Sequence, residues 1–217
     1  MAVIQSAADG TTLGTVGPTS LGLNITIKPD ELAGAYQIAA ATGAIVAATA
    51  AGTVFSFRYA PGTGQVCVIK RVSVAVSSAN TTLNTAAQVG IGIFVARGFV
   101  ASDSGGTALA PLATGAGRYR TALLTSNATD IRIATTTTLT AGTRTLDANT
   151  LGSTYFYATA AVGTYLPLTN LVSYNVSDYP LVLQNNEGFV VNTLTAMPAL
   201  GSSSVFINVE WFEATSY

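Results

Sequence analysis

The chain has 217 residues, nine Lys and Arg against ten Asp and Glu, no histidine and one cysteine. That length fits one all-β domain with an arm, the formal net charge of −1 lacks the basic footprint of a nucleic-acid binder or a polybasic membrane anchor, and Cys67 alone can neither close a disulfide nor anchor a metal cluster. Charged residues are only 9% of the chain while apolar ones are 49%, so the surface is built from Thr, Ser, Asn, Gly and Ala, and such a surface resists association poorly when bare.

Residues 1–20 are rich in Gly, Thr and Pro without a period and predict an extended arm, ordered against a neighbour. The first residues show neither the basic start nor the apolar run of a secretory signal. Residues 21–29 alternate, with Leu23, Ile25 and Ile27 on one face, and predict a strand ended by Pro29. Gly34 to Ala41 is a second candidate strand. The Ala-rich stretch from Ala39 to Ala51 is the one place that tempts a helix, but Thr42, Gly43 and Thr49 favour loop or strand. The uncharged run from Ala33 to Gly52 is too weakly apolar to span a membrane.

Thr53 to Tyr59 is a strand with Phe55, Phe57 and Tyr59 on its inner face. Gln65 to Ser78 follows as a long strand, with Val66, Val68, Val72, Val74 and Val76 assigned to one face. Lys70 interrupts that face and predicts a bulge or bend. Cys67, within this strand, is expected to be a buried free thiol. Asn80 to Asn84 is a turn. Ala86 to Val100 carries Val89, Ile91, Ile93, Val95 and Phe99 on one side, and Gly90 and Gly92 on the other leave room for something packed closely there.

From Ala101 to Val176 the pattern loosens into a loop-rich insertion, the kind of excursion that carries function. Asp130 to Ile133 and the threonine run Thr135 to Thr140 read as short strands. Tyr155 and Tyr157, in the aromatic run Thr154 to Tyr157, mark a strand or a contact patch. Arg97, Arg118, Arg120, Arg132 and Arg144 stand out because charges are so few, and each is expected to have a defined partner. They and the two tyrosines are the candidate interface, as ion pairs across a subunit seam or as ordinary surface arginines.

The region from Pro180 to Ala214 is the most regular. Gly188 to Asn192 is a strand fed by a turn at Asn185 to Gly188. Val205, Ile207, Val209 and Trp211 alternate with Phe206, Asn208, Glu210 and Phe212, which predicts a strand in the middle of a sheet. The loop from Ala196 to Ser204 is expected to close a hairpin between them. Phe55, Phe57, Val89, Ile91, Ile93, Phe189, Val209 and Trp211 form the predicted core. About eight strands, no long helix and no repeat predict an all-β, two-sheet β-sandwich, jelly-roll-like, over residues 21–217, with the extended N-terminal arm in front.

Catalytic patterns are missing. Without histidine the commonest general base and metal ligand is absent, and no serine sits in a Gly-X-Ser-X-Gly elbow. Glu187 and Glu210 form the one conceivable carboxylate pair, if a hairpin brings them together. The simpler reading gives Glu187 to a turn and Glu210 to solvent or an arginine. Asp30 and Glu31 lack the further oxygen ligands of a calcium site. No cofactor is expected and no enzymatic activity.

The run Asn186-Glu187-Gly188-Phe189-Val190-Val191, followed by Asn208-Val209-Glu210-Trp211-Phe212-Glu213, resembles the C-terminal ends of bacteriophage virion structural proteins of the decoration or capsid-associated kind. Val95 to Phe99 and Thr140 to Asp147 resemble the same group. The resemblance implies a structural virion protein: a capsid decoration or cement protein on the outer surface of the head, made in the host cytoplasm. Its expected partners are itself, as a homotrimer, and the major capsid protein. A tail, fibre or head-fibre component and a carbohydrate-binding β-sandwich module are the alternatives, but a fibre would show repeats, and sugar sites need exposed aromatics beside carboxylates.

Overall fold

The computed structural model describes residues 3–5, 13–15, 34–46, 49–61, 64–79, 87–109, 117–118, 125–158, 165–174, 179–197 and 202–214. The predicted strand at 21–29 and turn at 80–84 lie outside them, as does Arg120. Two short strands, β1 (Val3–Gln5) and β2 (Leu13–Thr15), pair only with each other. The rest is a two-sheet antiparallel β-sandwich, and no helix occurs among the described residues.

The strands that follow are β3 (Gly34–Ala41), β4 (Ile45–Val46), β5 (Thr53–Tyr59), β6 (Val66–Ala79) and β7 (Ala87–Arg97). Next come β8 (Thr107–Leu109), β9 (Asp130–Ile133), β10 (Thr145–Leu146), β11 (Gly152–Ala158) and β12 (Tyr165–Ser173). The last three are β13 (Leu181–Leu183), β14 (Glu187–Thr193) and β15 (Ser202–Ala214). The first sheet runs β10-β7-β14-β5-β9-β8, with β11 continuing along β7 beside β10. The second runs β12-β6-β15-β3, with β13 on β6 and β4 on β15.

The tempting helix at 39–51 is absent from the described residues, which hold the end of β3 and the short β4 there. β9 coincides with the short strand expected at Asp130 to Ile133. The strand count exceeds the expected eight because β4, β8, β10 and β13 are only two or three residues long, and because the nine-residue β12 lies in the stretch read as a loop-rich insertion. Two or three residues are too few for alternation to show.

β14 and β15 do not form a hairpin. β14 pairs with β5 and β7 in the first sheet, β15 with β6 and β3 in the second. Alternation shows that each strand has one inward face but does not say which sheet it joins. The segment after β14 crosses between the sheets: Thr193 N donates to Gly52 O (2.9 Å) and Met197 N to Thr49 O (2.9 Å). β15 is central in its sheet, as its pattern predicts, and its Trp211 packs edge-on against Phe57 of the opposite sheet, ring centres 5.2 Å apart. Tyr36 stacks on Trp211 and Phe189 on Phe57, which ties both sheets through one aromatic cluster. All eight predicted core residues are fully buried or within 1% of it.

Lys70 sits at a bulge. Arg71 pairs with Glu210 and Ile69 with Trp211, so Lys70 is the extra residue of β6. The bulge also shifts the phase. Cys67 and Ile69 line the core before it, and Val72, Val74 and Val76 after it. Val66 and Val68 therefore do not share the face of Val72, against the single face expected. The glycine face of β7 is filled as expected: a Cβ on Gly90 would meet Leu194 at 3.1 Å, and one on Gly92 would meet Thr150 at 2.8 Å. Thr135 to Thr140 is not a strand. It bends across the end of β5, with Leu139 N donating to Thr53 O (2.7 Å), and only Thr140 forms an isolated bridge, to Ser104.

Candidate functional site

Among the described residues most arginines are engaged inside the chain. Arg58, on the outer side of β5, reaches Phe99 O (2.5 Å), Val100 O (3.1 Å), Asp130 (3.1 Å) and Asn186 Oδ1 (3.2 Å). It thereby fastens the segment after β7 to β9 and to the turn before β14. Asn186 supplies that turn with φ 60°, as its Asn-Asn-Glu-Gly sequence predicts. Arg97 pairs with Glu187 (2.6 Å) and Asp147 (3.5 Å), and the Glu187 hydrogen bond is the main cause of its raised pKa. Arg144 and Asp103 form a pair with side chains 3% and 0% exposed. Arg144 lies 5.1 Å over the Phe99 ring and donates to Thr53 Oγ1 (2.9 Å). Burial lowers its pKa. Arg132 donates to Gly105 O (3.0 Å), and Arg118 to Thr125 Oγ1 (2.8 Å). Arg144 is thus an internal clamp, closed to a partner surface, while Arg97 remains half exposed.

Two carboxylates escaped sequence reasoning, and for Asp103 nothing in its neighbourhood marks it. Asp103 accepts Gly142 N (2.8 Å) besides its arginine. Glu213 is fully buried near the end of β15 and accepts Ser126 Oγ (2.5 Å), Asn127 N (2.9 Å), Asn127 Nδ2 (2.8 Å) and Trp211 Nε1 (3.3 Å). Alternation alone would send Glu213 inward beside Trp211, and that is the signal that could have found it. Burial, then the Glu213 charge, pushes Tyr36 up to about 12 and raises Tyr59 further. The same two causes hold the buried Cys67 thiol well above its usual range.

Glu187 and Glu210 are not brought together. They stand in different sheets, since the hairpin that would join them does not exist, and each has its own arginine: Arg97 for Glu187, Arg71 for Glu210. Glu187 also caps its turn by accepting Gln184 N (2.9 Å). Among the described residues no three His, Cys, Asp or Glu side chains cluster as metal ligands. An open concavity of about 210 Å³ lies on the outer face of the second sheet between Gln37, Arg71, Ser73, Leu168 and Glu210. The Arg71–Glu210 pair occupies its polar side, so neither charge is left for a substrate.

What the surface offers instead is apolar. On β11, Tyr155 and Tyr157 are each 54% exposed and meet edge to face, ring centres 5.7 Å apart. Of the sequence's two alternatives for this run the strand is present, with Phe156 pointing into the core between the two exposed rings. Leu151, Leu168 and Phe206 are also exposed. The chemistry available here is burial of rings and methyl groups against another macromolecule. No protein-family model, curated protein or solved structure matches the chain.

Proposed function

We propose that the chain is a structural protein of a bacteriophage virion: a capsid decoration or cement protein that binds the outer head surface and stabilises it without chemistry or cofactor. It associates as a trimer at local threefold sites and bridges neighbouring major capsid proteins, with no nucleic acid or membrane as partner. The observation that supports this reading is the division of labour on the surface. Arg58, Arg71, Arg97 and Arg144 are paired with carboxylates of their own chain, while Tyr155, Tyr157, Leu168 and Phe206 are left in water. The virion resemblance at Asn186 to Val191, which runs into β14, and at Asn208 to Glu213, in the second half of β15, supplies the setting.

A standard interface buries about 1,600 Å², somewhat over half of it apolar. At about 25 cal/mol per Å² of apolar area the gross gain is on the order of 20 kcal/mol, enough to exceed association costs of about 4–15 kcal/mol without any ion pair. Attachment is therefore expected to be insensitive to salt. The test is to strip the protein from particles and add it back at low and high ionic strength, intact or without residues 1–20. Rebinding of the intact chain at both strengths, weakened by the deletion, supports the proposal. Release by salt alone, or no binding to stripped heads, refutes it.

A further inference from the structure

The edges of the two sheets are not alike. In the second sheet, β12 carries Pro167 and two register shifts along β6, devices that disable an edge. At the other edge of that sheet, β3 is engaged by Gly117 and Arg118: Gln37 N donates to Gly117 O (2.6 Å), and Tyr36 bridges Arg118. In the first sheet, β8 is only three residues long, and β10 is two residues long beside the Arg97–Asp147 pair. β11 has none of these protections. Its seven residues, GSTYFYA, pair with β7 in unbroken register from Gly152↔Ile93 to Ala158↔Ala87. They include no charge and no proline. Among the described residues no strand pairs with its other side. β12 approaches β11 without pairing to it, and lies against its start, where a Cβ on Gly152 would meet the backbone of Leu171.

We propose that β11 is a homotypic docking edge: the β11 strands of two copies pair antiparallel about a twofold axis, joining their first sheets into one. Such a contact sets each surface against itself, so a charged edge meets its own sign. β11 is free of that penalty, which is the argument for a second copy as the occupant. Antiparallel self-pairing also brings Tyr155 and Tyr157 of one copy onto the tyrosines of the other, closing both exposed rings. Tyr side chains bury about 150–250 Å² when fully covered, so four that are half exposed contribute less than a standard interface needs. The edge is thus a weak link in solution and a strong one when copies are held side by side. It requires only two copies of the chain and stands whether or not the chain belongs to a virion.

Sedimentation velocity over a range of concentrations tests it with two charge variants, Tyr155→Lys/Tyr157→Lys and Tyr155→Glu/Tyr157→Glu. Each alone should associate at least ten-fold more weakly than the wild type, and an equimolar mixture should recover association, because opposite charges now face each other in either register. A second measurement leaves the edge almost intact. Tyr155→Cys should be joined to a second copy by a short bis-maleimide faster than Phe206→Cys, which is exposed elsewhere, while the buried Cys67 stays silent. Association unchanged by either charge variant, no recovery on mixing, or equal cross-linking at positions 155 and 206 overturns the proposal.

Discussion

At the scale of single residues, the buried charges decide most. Asp103 and Arg144 are almost fully enclosed, and a buried pair depends on both members. Arg144→Met alone should cost about 3–5 kcal/mol by leaving Asp103 uncompensated. The double variant Asp103→Leu/Arg144→Met should recover much of that loss in urea denaturation. Glu213 gathers donors from Ser126, Asn127 and Trp211, and Glu213→Ala removes the acceptor of Ser126 Oγ and Asn127 N, while Trp211 Nε1 keeps Ser126 Oγ and Asn127 Nδ2 keeps Gln65 Oε1. The expected loss is about 2–4 kcal/mol, because hydrogen bonds to a charge and the cost of orphaned donors both count. Cys67 is enclosed and its pKa is raised by burial and by Glu213. A raised acid pKa keeps the thiol protonated through neutral and mildly alkaline pH. Thiol reagents should therefore label the protein only after denaturation, and labelling of the native chain at pH 8 contradicts this placement.

At the scale of elements, the sequence showed most long strands well, missed the nine-residue β12, whose Pro167 and polar residues blur its alternation, and showed pairing poorly. β5 coincides with the residues its alternation marks, and Lys70 reveals its bulge because a charge breaks an apolar face. The phase change beyond the bulge was not legible, since Val and Ile occur on both sides of it and look equally fit for the core. The separation of β14 from β15 was hidden for a related reason: the loop between them is short enough for a hairpin, and only the partners, β5, β7, β6 and β3, decide the sheet. Deleting Lys70 removes the extra residue and lets Ile69 and Arg71 sit consecutively opposite Trp211 and Glu210. That deletion should keep the fold with little loss of stability. Deleting Ser73, where the ladder with β15 is already regular, reverses the facing of one part of β6 against β15 and should unfold the domain. Gly188 gives a further check, since a Cβ there would lie 2.1 Å from Phe57 O, a backbone atom with no freedom to retreat. Gly188→Ala should lower the thermal midpoint clearly, by the equivalent of about 1–3 kcal/mol.

At the scale of the whole molecule, the sandwich follows from a composition that gives up surface charge and fills both sheet faces with β-branched and aromatic residues. The candidate surface was legible only in part. Tyr155 and Tyr157 stood out as aromatics in a poorly patterned stretch, but Arg144, equally prominent in sequence, turned inward, because sequence does not say which of a chain's few carboxylates will meet it. Arg58 and Glu213 each gather several partners although neither stood out in the sequence. Their roles depend on residues 72 and about 85 positions away, well beyond any local pattern. A charge-poor exterior with tyrosines and leucines left in water suits a protein that spends its existence covered by neighbours. The central claim is that those neighbours are the subunits of a phage head. Electron cryomicroscopy of particles assembled with and without this chain tests it most directly: the account predicts density on the outer head surface, across the seams between major capsid proteins, that vanishes when the chain is missing. Heads that look identical in both preparations, or density lost from the tail instead, would contradict it.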